Sequence, residues 1–343
     1  MTRPLVQFFR VLQCLYEAGI PLVRCFWVLA SQETNPRLRT LYLNLEASLS
    51  RGEPLADSCR KHKEFFSPLH TALMKAGEHG GVLGAVLERL AQYEEHSQNL
   101  TRKVKAATTY PLFAFVVCLA VVYFLSQGIV VNLVGHLEAM GGHLPITTAI
   151  LLQFVRITRH PAFLIALPLA CAGIYLWCRR WIGLPGHRYL LDLRLLNLPL
   201  FGPILLKLAV SRFCRVLALL YDAGVNISDA LELASDSAGN EAVRRGGREV
   251  AAFLIKGETV SGAFRYARIF PSIVINMISV GSESGDLPEM VGKAASVYEL
   301  EVESGLSIYV QAVQPLMIFF IGGLVGFVAL ATLGPLLQLL EKL

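Results

Sequence analysis

The segments RVLQCLYEAGI (Arg10 to Ile20) and RVLALLYDAGV (Arg215 to Val225) are identical at seven of eleven positions and stand 205 residues apart. A duplication on that scale constrains the fold more than any local propensity, because one backbone path must suit both copies. Carried forward without a gap, the offset sets Gly52-Glu53 on Gly257-Glu258, Arg60 on Arg265 and Phe65 on Phe270. It continues with Glu78 on Glu283, Gly80 on Gly285 and Tyr93-Glu94 on Tyr298-Glu299. It then slips by one, so that Tyr110-Pro111-Leu112 lies beside Gln314-Pro315-Leu316.

Each copy runs into an uncharged apolar stretch. With 54% hydrophobic and 17% charged residues, the chain is greasier than a soluble domain of its length. Windows long enough for a bilayer core of about 30 Å fall at 110–135, 161–178 and 312–340. They divide the chain into a first domain at 1–109, a short loop at 136–160 and a second domain at 179–311 that repeats the first. Arg10, Glu17 and Arg24 interrupt the first apolar stretch at helical spacing, so it reads as an amphipathic helical start rather than a secretory signal.

Within a copy, apolar positions recur at three and four, and strand-like alternation is absent. AGIP, TNP, RGEP, FSP and GEHGG punctuate the pattern. The expected fold is an all-α integral membrane protein: two homologous six-helix cytoplasmic bundles with three transmembrane helices. The last helix of the first copy, from Val82 to about Val131, would extend roughly 75 Å, beyond the depth of a bilayer core. Pro111 and Pro315 sit where their spans begin, as hinges or as tolerated prolines. Gly322 and Gly326 form a small-xxx-small face suited to helix packing.

Arg102, Lys103 and Lys105 precede the first span and Arg179, Arg180, Arg188 and Arg194 follow the second, whereas the loop between offers Arg156 and Arg159. This bias sets both large domains on the cytoplasmic side. The net charge of +5 sits mainly on the first domain, with 14 basic and 10 acidic residues against 14 and 14 in the second. That is a membrane-proximal bias, not a nucleic-acid footprint. The seven cysteines form no CxxC pair and read as small apolar residues.

Catalytic chemistry finds no support. Gly292-Lys293 resembles the end of a phosphate loop, but Leu287 stands where glycine is required and Ala294 where Ser or Thr would bind magnesium. His62, His70 and His79 have no counterparts in the second copy, which argues for packing or surface histidines rather than a metal set. No cofactor is expected. The spans carry no ionisable group besides Cys and Tyr, which disfavours the alternative reading of a transport or channel component with regulatory cytoplasmic domains.

The residues carried by both copies are the candidates: Glu78, Gly80, Tyr93 and Glu94 with Glu283, Gly285, Tyr298 and Glu299. They either contact a partner or keep the shared fold. The Glu and Gly mark an acidic turn at the foot of each long helix.

LYEAGIPL, GEHGGVL, YEEH and KAATTYPL in the first copy, with LYDAGVNISDAL, KGETVSGAF, FPSIVINMISVGSESGDLPEMV, VYELE and VQPLMI in the second, resemble one family. It is the platform family of type II secretion systems and type IV pili, the secretion-system F domain proteins. The resemblance covers nearly the whole chain. It implies a non-enzymatic scaffold of the bacterial inner membrane that engages a hexameric assembly ATPase and a pilin or pseudopilin. It also implies other machine subunits, a homo-oligomer and a surrounding lipid bilayer. Three features depart from the pattern: the first copy begins almost at the first residue, Ser282 rather than glutamate follows Gly281, and Gln314 stands where glutamate commonly precedes the last span's proline.

Overall fold

A computed structural model describes residues 2–125, 187–196 and 202–341, with isolated positions between 149 and 180. The expected loop at 136–160 and span at 161–178 lie outside the described residues apart from those positions. Among the described residues all regular structure is helical. The first copy comprises α1 (Thr2–Glu17), α2 (Leu22–Gln32), α3 (Pro36–Ser50), α4 (Leu55–Arg60), α5 (Pro68–Gly80) and α6 (Leu83–Leu125). After α7 (His187–Leu196), the second copy follows as α8 (Gly202–Asp222), α9 (Ile227–Ser237), α10 (Glu241–Ile255), α11 (Val260–Tyr266), α12 (Ser272–Ser284) and α13 (Leu287–Glu341).

The turn residues act as their chemistry requires. Asn35 accepts a hydrogen bond from the Arg37 N–H with Pro36 behind it, and Asn240 accepts from Ala242 and Val243. Ser67 caps α5 in a reciprocal box, its hydroxyl accepting from the His70 N–H while His70 Nδ1 accepts from the Ser67 N–H. Helices stop at glycines in the left-handed region: Gly19, Gly52 and Gly81 at φ 77, 83 and 67°, and Gly224, Gly257 and Gly285 at φ 80, 90 and 78°.

Those glycines correct the repeat register. Gly19 and Gly52 match Gly224 and Gly257 at 205, but Gly81, not Gly80, matches Gly285, at 204. The starts of α4 and α5 are 13 residues apart and those of α11 and α12 are 12 apart, so one residue is lost in the loop ahead of α12. The slip therefore lies well before the apolar stretch. Burial agrees: Leu83, Leu87, Leu90, Ala91, Glu94 and Gln98 line up at 204 with buried Leu287, Val291, Ala294, Ala295, Tyr298 and Val302. The pairings Glu78/Glu283 and Tyr93-Glu94/Tyr298-Glu299 are thus coincidences of composition, because a buried helix face fixes register and isolated identities do not.

Two compact units are present. The first, Met1–Lys103 with Tyr189–Gly305, holds both helical repeats. Phe8 and Phe66 lie 5.4 Å apart in the first copy, and their equivalents Phe213 and Phe270 lie 4.9 Å apart in the second. Around them the copies exchange bulk: buried Phe9 and Cys59 become Cys214 and Phe264, conserving volume as a close-packed core demands.

The second unit comprises Val104–Arg188 and Leu306–Leu343. Phe115 and Phe320 bring α6 and α13 together there, with ring centroids 5.5 Å apart. Leu287–Ala331 is long and apolar enough to cross a membrane, with hydropathy 2.2 in a window only 6% buried. Leu316, Phe319 and Leu330 are exposed at 69, 84 and 65%. Outward-facing apolar side chains distinguish this helix from the core helix of a soluble domain.

An equivalent glycine outside the candidate set lets two helices approach closely in each copy. A Cβ on Gly77 would lie 2.9 Å from Val86 Cγ2 and 3.2 Å from Leu83 Cα, and one on Gly281 would lie 2.9 Å from Leu287 Cα. Gly77→Ala and Gly281→Ala should each lower unfolding stability by about 1–3 kcal/mol through overpacking. Gly80→Ala, whose Cβ would meet only Val82 Cγ2 at 3.4 Å, should stay within about 0.5 kcal/mol of the parent in the same thermal unfolding assay.

Candidate functional site

Glu78 has a specific structural duty. The segment entering α4 is Gly52-Glu53-Pro54, and Pro54 at the cap position has no side-chain acceptor for the helix N–H groups. Glu78 reaches across from α5 instead, its carboxylate accepting from the Leu55 N–H at 2.5 Å and the Ala56 N–H at 2.9 Å. An anion at a helix N-terminus is favoured by both the free donors and the helix dipole. In the second copy Thr259 replaces Pro54 and caps α11 itself, accepting from the Gly262 N–H. Ser282 accordingly stands at the position equivalent to Glu78, and Glu283 lies exposed, accepting from the Ser279 hydroxyl. The acidic turn is not made twice.

Other candidates separate in the same way. Gly80 is the last residue of α5, whereas Gly285 ends α12 in the left-handed region. Glu94 is buried against His70, whose Nε2 lies 2.9 Å away. Tyr93 is half-buried and Tyr298 fully buried, and desolvation pushes both phenols up to about 12. Pro111 and Pro315 lie inside continuous α6 and α13. Gly322 and Gly326 are exposed with open space over each among the described residues.

Glu299 is different, because it stands where the two repeats meet. Its true counterpart is Glu95. Arg10 holds Glu95 through bonds at 2.7 and 3.0 Å, and the equivalent Arg215 holds Glu299 at 2.5 and 3.1 Å. The first pair is exposed, but Glu299 is 5% exposed and also faces His96 of α6, whose Nε2 is 2.9 Å from Oε2. Arg89–Asp222 at 2.7 Å and Lys103–Glu303 at 2.5 Å complete a line of ion pairs joining the copies. Beside it α5 packs on α8 and α9. A groove of about 520 Å³ remains between Lys75 and His79 on one wall and Asp229, Glu232 and Asp236 on the other.

Repeat spacing alone missed Arg10, Arg215, His96 and Gly77. The arginines were visible as the invariant first residue of the duplicated motif, and Gly77 with Gly281 emerges once GEHGG and GSESG are aligned one residue over. His96 has Leu300 as its counterpart, so no repeat signal could single it out.

Burial works to raise the Glu299 carboxyl, but the contacts from His96 and Arg215 outweigh it and hold the group below the usual carboxylate range. A depressed folded value means stability that is present above the unfolded value of about 4.3 and lost as pH falls through the folded one. Glu299→Gln should cost about 1.5–3 kcal/mol at pH 7 and flatten the acid limb of the stability curve, measured by denaturant unfolding across pH. Glu78→Ala should cost about 1–2 kcal/mol, and Pro54→Thr should restore part of it by providing the cap that Thr259 gives the second copy.

The geometry of two matched helical repeats agrees with comparisons to known proteins. The family described as "Type II secretion system (T2SS), protein F" matches residues 8–130 and again 213–335. The type IV pilus assembly protein PilC of Thermus thermophilus is 33% identical over 99% of this chain and 84% of its own length. PilC of Myxococcus xanthus is 32% identical over 94% of this chain and 77% of its own. The type II secretion system protein F of Vibrio cholerae is 31% identical over 98% and 83%. With the family pattern occurring twice and relatives aligning along nearly the full length, the chain belongs to the type II secretion system protein F family.

Proposed function

We propose that the protein is the inner-membrane platform of a type IV pilus or type II secretion machine, coupling a cytoplasmic assembly ATPase to the insertion of pilin or pseudopilin subunits into a filament. Membership of the protein F family, with relatives named for pilus assembly and type II secretion, supports this reading. The single observation that carries it is the construction of α6 and α13. Each begins as the closing helix of a packed repeat, anchored by Glu95 or Glu299, and continues as an apolar helix whose side chains face outward. A helix built in that way serves two media at once, a protein core at one end and lipid at the other.

On this reading the spans at 110–135, 161–178 and 312–340 are transmembrane and both repeats are cytoplasmic, following the positive-inside bias. The platform hydrolyses nothing itself; it passes on movement driven by the ATPase. Solubilising membranes that carry a tagged full-length chain and isolating it should recover an assembly ATPase and a pilin-like subunit, and deleting the chain should abolish the filament. Recovery of neither partner, with filaments persisting in the deletion strain, would overturn the proposal.

A further inference from the structure

We propose that a second copy of this chain docks head to tail on the first unit, repeating between chains the contact that joins the two repeats within one. The internal seam is one-sided. It uses the α5 and α6 face of the first copy against the α8, α9 and α13 face of the second, and no comparable packing joins α12 to α1 or α2 among the described residues. A one-sided contact between like folds is heterologous, so it leaves one unused half at each end, ready for another chain.

Those unused halves are complementary. The seam pair Arg89–Asp222 transforms, by the 204 and 205 offsets, into Lys293 and Glu17, again a base and an acid, both exposed. Among the described residues Lys293 pairs with Glu289 one helical turn away. At the positions equivalent to the groove, His79 on α5 becomes Glu283 on α12 and Asp229 on α9 becomes Arg24 on α2, so the free halves again offer an acid and a base.

Apolar exposure falls at the same places. Val280, equivalent to groove-lining Ala76, is 51% exposed, and Leu300, equivalent to His96, is 66% exposed. On the opposite half Trp27 replaces Glu232 and is 44% exposed. Large apolar side chains at positions that the fold already uses as a seam mark the core of an interface with a rim of matched charge.

The test is disulfide cross-linking of the full-length chain in its membrane, in a Cys14→Ser background because Cys14 is exposed near Glu17. Glu17→Cys and Lys293→Cys are placed on two differently tagged copies. A cross-linked species that forms only when both are expressed together supports the head-to-tail contact. A dimer from Glu17→Cys alone or Lys293→Cys alone, or no cross-link in the mixture, overturns it. As an independent measurement, Lys293→Glu should lose the self-associated species in detergent, and adding Glu17→Lys should restore it; failure of that rescue also overturns the proposal.

Discussion

A buried carboxylate organises the first unit. Glu299 lies at the meeting of α6, α8 and α13, and removing its charge from water is costly unless that charge is matched on the spot. Arg215 supplies the match from within the second copy and His96 from the first. The first and last helices of one repeat are thereby fixed to each other, and the closing helix of the other repeat is fixed to both. The exposed pair Arg10–Glu95 has the same geometry without the burial, so it ties one repeat and not two.

The duplication acts as an internal control on which residues keep the fold. Where α4 has proline at its cap, a glutamate from α5 does the capping; where α11 has threonine, that glutamate is absent. Where one copy places a phenylalanine in the core beside a cysteine site, the other exchanges them. These compensations preserve volume and hydrogen bonding rather than identity, which is why residues identical in both copies were a weak guide to shared roles.

Much of the architecture was legible beforehand. Helical periodicity, six helices per copy and the long closing helices follow from patterns that are local in sequence, and the glycine and proline punctuation falls where helices end because few other residues tolerate those backbone angles. The candidate site was less legible. Identity at a fixed offset joins Glu78 to Glu283 in a register one residue out, and it marks Glu299 through the tyrosine beside it rather than through the arginine that holds it.

The sequence by itself determined that two copies of a helical unit each lead into an apolar helix, since both repetition and hydropathy are sums over many residues and survive a local slip. Only the tertiary structure decided which residues correspond across the repeats. A single residue lost in the loop before α12 rotates every later position by about 100° around its helix, and burial responds to that rotation where a list of identities does not. Likewise the seam between the copies depends on charges brought together from α6, α8 and α13, and no spacing along the chain encodes which of them will meet.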